Sequence, residues 1–155
     1  MPRALIANCS VAVAGSRMSK RTYLDSGVLL AACVRKDEIG RRALEILDDP
    51  SRSFVLSDAV RLEILPKAVF EKRQDEVEFY AAIFSQSEGL NWSIDTLHRA
   101  FDVAQKYGIA TIDAIHVATA LDARVDEMVT AEKPTKPMFR VRELLIRSIR
   151  EAQGA

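Results

Sequence analysis

The chain has 155 residues, 48% hydrophobic and 28% charged, with six glycines, five prolines and no biased tract; this excludes fibrous, disordered and multidomain architectures and fits one domain around one core. Twenty-two Lys and Arg balance 22 Asp and Glu to a formal net charge of zero, so no bulk positive field supplies nucleic-acid affinity, and a polyanion has to be held locally. Two cysteines, Cys9 and Cys33, make neither a disulfide framework nor a zinc ligand set and fit a reducing, cytoplasmic compartment.

Residues 4–14 (ALIANCSVAVA) are apolar enough to suggest a signal sequence, but only Arg3 precedes them as a charge and the run is too short to span a bilayer. Residues 1–19 read instead as an N-terminal extension with little structure, since Met18 stands just ahead of the basic pair Lys20-Arg21 and a clear strand. Tyr23 and Leu24, then Asp25-Ser26-Gly27 and the apolar run Val28 to Val34, read as a buried strand whose closing turn starts a helix. That puts Asp25 at the strand's carboxyl end. A second helix follows at Arg41 to Leu47, stopped by Asp48-Asp49-Pro50.

Phe54 to Leu56 is a short second strand, and Ser57 or Asp58 can cap a helix through Ala59 to Lys72, with Glu63 in its second turn and a kink expected at Pro66. Residues 75–86 place Val77, Tyr80, Ala81 and Phe84 on one amphipathic stripe. Leu90 to Ile94 reads as a third strand, and Thr96 to Tyr107 as a helix closed by Gly108. Thr111 to Ala123 is apolar on nearly every face and belongs at the centre. Glu127 to Thr130 gives a fourth strand, Phe139 to Val141 a fifth, and residues 143–152 a terminal helix. Alternating strands and helices make this an α/β domain with a mostly parallel sheet of four to five strands, in which ligands bind beyond the strands' carboxyl ends.

Three carboxylates stand where chemistry is to be sought: Asp25, Glu63 among Val60, Leu62, Ile64 and Leu65, and Asp113 heading the most buried helix. Each alone has an ordinary structural reading: Asp25 could begin a turn, Glu63 could be solvated, and Asp113 or Thr111 could cap its helix. Together they lie at element ends that such a sheet brings to one edge, and clustered carboxylates repel unless protonated or neutralised by a cation. Mg²⁺ or Mn²⁺, with oxygen ligands, retained waters and an affinity for phosphate, meets that need. The reading requires oxygens drawn from distant parts of the chain to lie close enough to share an ion.

The segments TYLDSGVLL, LSDAVRLEILPKA, YGIATIDAIHVATAL and MVTAEKP resemble the ordered motifs of PIN-domain ribonucleases, the family that includes VapC toxins of toxin–antitoxin pairs. The likeness covers roughly residues 21–141, and its most specific piece is Asp113-Ala114-Ile115-His116 with Ala118 and Ala120. It implies a three-layer α/β/α sandwich over residues 20–155, metal-binding acids at Asp25, Glu63 and Asp113, and Mg²⁺- or Mn²⁺-dependent cleavage of RNA leaving 5′-phosphate and 3′-hydroxyl ends. It also implies a homodimer and, in the toxin case, a small antitoxin partner. In the fourth motif the family places Asp two positions after a strand-end Thr or Ser; here Val129-Thr130-Ala131-Glu132 carries Glu, whose carboxylate is displaced by roughly one carbon–carbon bond. Glu132 is accordingly expected as an outer ligand.

The basic loop Lys133-Pro134-Thr135-Lys136-Pro137 is expected beside the site, where Lys133 and Lys136 could contact RNA phosphate or only water. His116 could donate a proton or hold a carboxylate, and is more simply a packed histidine satisfied by a neighbour. Ser26 and Thr130 could orient groups at the site or bond backbone. His98 reads as surface and Trp92 as core or edge packing. The stripe at 75–86, with the helix at 41–47, is the expected docking face for an antitoxin or second subunit.

Other chemistries fit less well. A haloacid-dehalogenase-type phosphatase needs a second acid where Gly27 stands, and a receiver domain with Asp95 as phosphoacceptor lacks its acidic pair. The rival from another class is a catalytically impaired RNA-binding or partner-binding module in which Glu132 has spoiled the metal geometry.

Overall fold

A computed structural model describes residues 19–151, so the extension expected at 1–19 lies, except for Ser19, outside the described residues. The first strand, β1 (Lys20–Leu24), ends in three fully buried residues, as an interior parallel strand covered on both faces must. It is followed by α1 (Ser26–Val34) and α2 (Glu38–Leu47), each capped by an aspartate, Asp25 or Asp37, whose carboxylate accepts a first-turn amide. Next come β2 (Arg52–Ser57), α3 (Asp58–Phe70) and α4 (Gln74–Ser85). Ser57 caps α3, which runs unbroken through Pro66. Then follow β3 (Glu88–Leu90), α5 (Ile94–Tyr107), α6 (Thr111–Asp122), β4 (Glu127–Thr130), a 3₁₀ turn at Pro137–Arg140, and β5 (Ile146–Ser148).

The five strands form one parallel sheet in the order β3-β2-β1-β4-β5, with Tyr23 in register with Val55 on one side and Met128 on the other. The chain first moves outward from β1 to β3, and α1 to α4 pack on one another along that path. It then returns across β1 to β4, so right-handed crossovers put the paired helices α5 and α6 on the opposite face. The three-layer α/β/α architecture is the one expected. Strand order reverses between β1 and β4, and the crevice at their carboxyl ends is where such sheets bind ligands. Helix α6, buried without interruption from Ala114 to Ala120, fills the centre as its sequence demands. Gly108 closes α5 at φ +66°, its amide donating to Ala104 at 2.9 Å.

Three local expectations are corrected. The third strand is Glu88–Leu90, because Ser93 Oγ accepts the Thr96 amide at 3.0 Å and starts α5 at Ile94, within the expected strand. Phe139 and Arg140 belong to the 3₁₀ turn opened by Pro137, and the fifth strand lies at Ile146–Ser148, inside the helix expected at 143–152. The open edge of β4 explains that switch: pairing Met128 with Ile146 and Thr130 with Ser148 satisfies backbone groups that a terminal helix would leave unpaired. Along α4 the buried residues are Tyr80 and Ile83, while Ala81 faces solvent.

At the amino end of the sheet, far along the strands from the crevice, Glu127 is fully buried. Its carboxylate accepts from Thr22 at 3.0 Å, Arg52 at 2.8 Å and Arg147 at 2.9 Å, with Lys20 at 3.6 Å. Burial alone would raise its pKa, but Arg52, Thr22 and Lys20 outweigh it and hold the group below the ordinary glutamate range. The cluster ties β1, β2, β4 and β5 together.

Candidate active site

Asp25 leaves β1 where the chain turns into α1. Its amide donates to Val129 at 3.2 Å, and its carboxylate takes the Val28 amide at 3.2 Å and the Thr130 hydroxyl, so it bridges the ends of β1 and β4. Burial, reinforced by Glu63, pushes its pKa up to about 6 against the opposing pull of Thr130, His116 and the Val28 amide. Thr130 therefore orients Asp25, and the same oxygen accepts the Glu132 amide at 3.0 Å. The loop beyond β4 is pressed close to α1: a Cβ on Gly27 would stand 2.9 Å from Ala131 Cβ, which is why no side chain fits there.

Glu63, on α3, faces His116 Nε2 at 2.6 Å and also takes the Ser26 hydroxyl. Although burial would raise it, His116 and Ser26 hold this carboxyl below the glutamate range. His116 is packed and satisfied from both sides, since its Nδ1 lies 2.7 Å from the Tyr23 hydroxyl. Asp113 sits in the first turn of α6 and caps nothing, because the cap position is Ala110 and makes no side-chain bond. Burial and then Glu132 raise its pKa, with a smaller push from Glu63 and an opposing pull from Lys136 and His116. Glu132 has the Lys136 ammonium 3.7 Å from its carboxylate.

Asp25, Ser26, Glu63, Asp113, His116 and Glu132 line one cleft of about 590 Å³ at the strand-order reversal. Four cations share it, Arg35, Lys67, Arg73 and Arg150, with Leu30 and Val34 as an apolar wall. Sequence reasoning missed these cations. They come from four separate segments, and Arg150 lay in an expected helix, whereas its guanidinium here donates to Ala131 at 2.6 Å. Lys133 is exposed and does not line the cleft, and Lys136 is engaged with Glu132. Trp92, expected in core or edge packing, is instead an exposed loop residue whose amide donates to Asp58 at 3.3 Å, and it does not line the cleft. His98 is exposed as expected. The stripe of α4 is largely spent on the core, with Phe84 covered by the Arg61 guanidinium at 4.6 Å, so exposed apolar side chains lie elsewhere: Leu30, Val34, Phe70, Leu97 and Phe101.

The donor chemistry suits a hard divalent cation: all-oxygen ligands, two acids whose ionised forms burial and like charge disfavour, and a basic rim for phosphate. Among the described residues, however, no three His, Cys, Asp or Glu side chains converge on one point that could hold an ion. Asp25 is turned onto Thr130, Glu63 onto His116, and Glu132 lies nearest Lys136. The arrangement fits an ion held by one or two carboxylates with the others reached through water, a common state for Mg²⁺.

A model of the PIN domain matches residues 22–133. No curated protein matches in sequence. Among solved structures, a toxin–antitoxin complex from Klebsiella pneumoniae is similar with a TM-score of 0.65 at 23% identity, covering 80% of this chain and 95% of that one. VapBC2 from Rickettsia felis, bound to a DNA fragment from its promoter, aligns with a TM-score of 0.64 at 16% identity over 83% of this chain and 98% of that one. Mycobacterium tuberculosis VapC20, described as a sarcin–ricin loop cleaving toxin, gives 0.60 at 12% identity over 80% and 98%. At these identities the structures share the fold.

Proposed function

The chain belongs to the PIN domain family, and from that premise we propose that it is a Mg²⁺- or Mn²⁺-dependent endoribonuclease of the VapC toxin kind. The observation that carries the reading is the shared cleft: Asp25, Glu63, Asp113 and Glu132 line it together with four cations at the topological switch point. Asp25, Glu63, Asp113 and Glu132 together would hold such a divalent ion, directly or through water, and the ion would neutralise phosphate charge and acidify water. Thr130 and the first-turn amide of α1 fix the Asp25 carboxylate, so its geometry is set before substrate arrives. Lys67 and Arg150 offer positive charge at the cleft to phosphates flanking the scissile bond, whereas Arg35 is held by Asp37 and Arg73 by Glu71 and Glu76. RNA is favoured over DNA as substrate by the likeness to a toxin described as cleaving the sarcin–ricin loop. The complexes among the similar structures support a small antitoxin partner, and the exposed apolar side chains of α5 support a homodimer. A cytoplasmic setting fits the two cysteines; among the described residues no helix is long and apolar enough to cross a membrane.

The test is cleavage of RNA by the purified protein with Mg²⁺ or Mn²⁺ against chelator, and its loss in Asp113→Asn. Binding of RNA that stays intact with either ion overturns the nuclease reading. It would favour the second reading, a non-cleaving binding module, whose support is the Lys136 ammonium beside Glu132 and, among the described residues, acids that do not converge as a trio.

A further inference from the structure

Behind the cleft runs a chain of hydrogen bonds that the cleavage chemistry does not itself use. Ser57 Oγ lies 2.7 Å from the Tyr23 hydroxyl, that hydroxyl 2.7 Å from His116 Nδ1, and His116 Nε2 2.6 Å from Glu63 Oε2. Ser57, Tyr23 and His116 are all buried, so water does not supply missing partners. Hydrogen-bond accounting fixes the direction. Ser57 Oγ already accepts the Val60 amide at 3.4 Å as the cap of α3. If the serine donates to Tyr23, the tyrosine to Nδ1 and Nε2–H to the carboxylate, every proton has an acceptor. In the reverse direction, with Nδ1–H donating to the tyrosine and the tyrosine to the serine, the serine proton would have no acceptor.

We propose that Tyr23, held by Ser57, is a positioning residue: by donating to His116 Nδ1 it fixes the Nε2–H tautomer, and so fixes where the Glu63 carboxylate stands in the cleft. Burial anchors the chain on β1, β2 and α6, and it ends on the one acid of the site that comes from α3. This deepens the proposed function and rests on it only for the ion that Glu63 serves. Loss of an outer partner to a metal-site ligand costs about 10- to 100-fold in metal affinity, and the lower end suits a contact twice removed from the ion.

The chain has two histidines, which makes the ring nitrogens directly readable by ¹⁵N NMR; the signal remaining in His98→Gln belongs to His116. Wild type should show a bare Nδ1 and a protonated Nε2. Tyr23→Phe should bring the two nitrogens toward averaged shifts and lower Mg²⁺ affinity by calorimetry about tenfold. Ser57→Ala attacks the chain from its far end if the first variant fails to fold, and Ser57→Thr should restore the wild-type spectrum. A protonated Nδ1 with a bare Nε2 in wild type, or ring signals unchanged in the variants, overturns the relay. Changed signals with unchanged Mg²⁺ affinity overturn the positioning role. If wild type takes up neither Mg²⁺ nor Mn²⁺ while the signals change as stated, the relay stands and the nuclease reading falls.

Discussion

Replacing Asp25 by Asn should make the metal-free protein more stable while abolishing its response to metal. The reason lies in the burial of this carboxylate, which, with Glu63 adding to it, pushes its pKa up to about 6 despite bonds from Thr130 and Val28. An aspartate in the unfolded chain titrates near about 3.9, so ionised Asp25 costs the fold roughly 3 kcal/mol at neutral pH. Asparagine keeps an oxygen for the Val28 amide, but its NH₂ meets a Thr130 hydroxyl whose proton loses its acceptor, returning about 1 kcal/mol. The net gain of about 2 kcal/mol should raise Tm by roughly 5 °C in a domain of this size. The sign with pH follows: between about 4 and 6 the folded state binds more protons than the unfolded one, so wild type loses stability as pH rises through that window. Scanning calorimetry in chelator should therefore show the advantage of Asp25→Asn at pH 7.5 and its disappearance near pH 4. Adding Mn²⁺ at 100 times its Kd should stabilise wild type by about 2.7 kcal/mol and leave the variant unmoved. A variant less stable than wild type in chelator at pH 7.5, or a difference that ignores pH, would refute the argument.

Glu127→Gln should destabilise by about 1–3 kcal/mol, because it weakens the charge-assisted bonds from Arg52, which keeps Asp49, and from the partly exposed Arg147. Because the folded pKa of Glu127 is depressed, its contribution is present above about 4.3 and is lost as pH falls through the folded value; the stability difference between wild type and variant should therefore shrink on acid titration below that pH. Gly27→Ala should push Ala131 and the Glu132 loop away from Asp25, lowering Mn²⁺ affinity in calorimetry by more than its effect on Tm accounts for. Lys67→Ala and Arg150→Ala should each weaken RNA binding uniformly across sequences and reduce the salt slope of log K by about 0.7 for every single-strand phosphate the removed cation had neutralised, as measured by filter binding at several salt concentrations.

The parts of this molecule legible in sequence are those that local chemistry alone determines. Asp25 follows an apolar strand and can cap the next helix within three residues, and α6 is apolar on nearly every face, so both are placeable without tertiary knowledge. The segment at 143–152 is not, because helical spacing of its apolar residues competes with a demand that local sequence does not contain, the unpaired edge of β4. Trp92 failed for a related reason: an aromatic residue reads as packed until Ser93 claims the cap of α5 and leaves the preceding backbone as loop. The same division runs through the site. Carboxylates betray themselves by standing among apolar neighbours, whereas Arg35, Lys67, Arg73 and Arg150 look like any solvated cation until the fold gathers them. Tyr23 and Ser57 are less visible still, since a tyrosine in a strand and a serine before a helix each have an ordinary role. Only the 2.7 Å distances that join them to His116 show that the acid on α3 is held from the sheet.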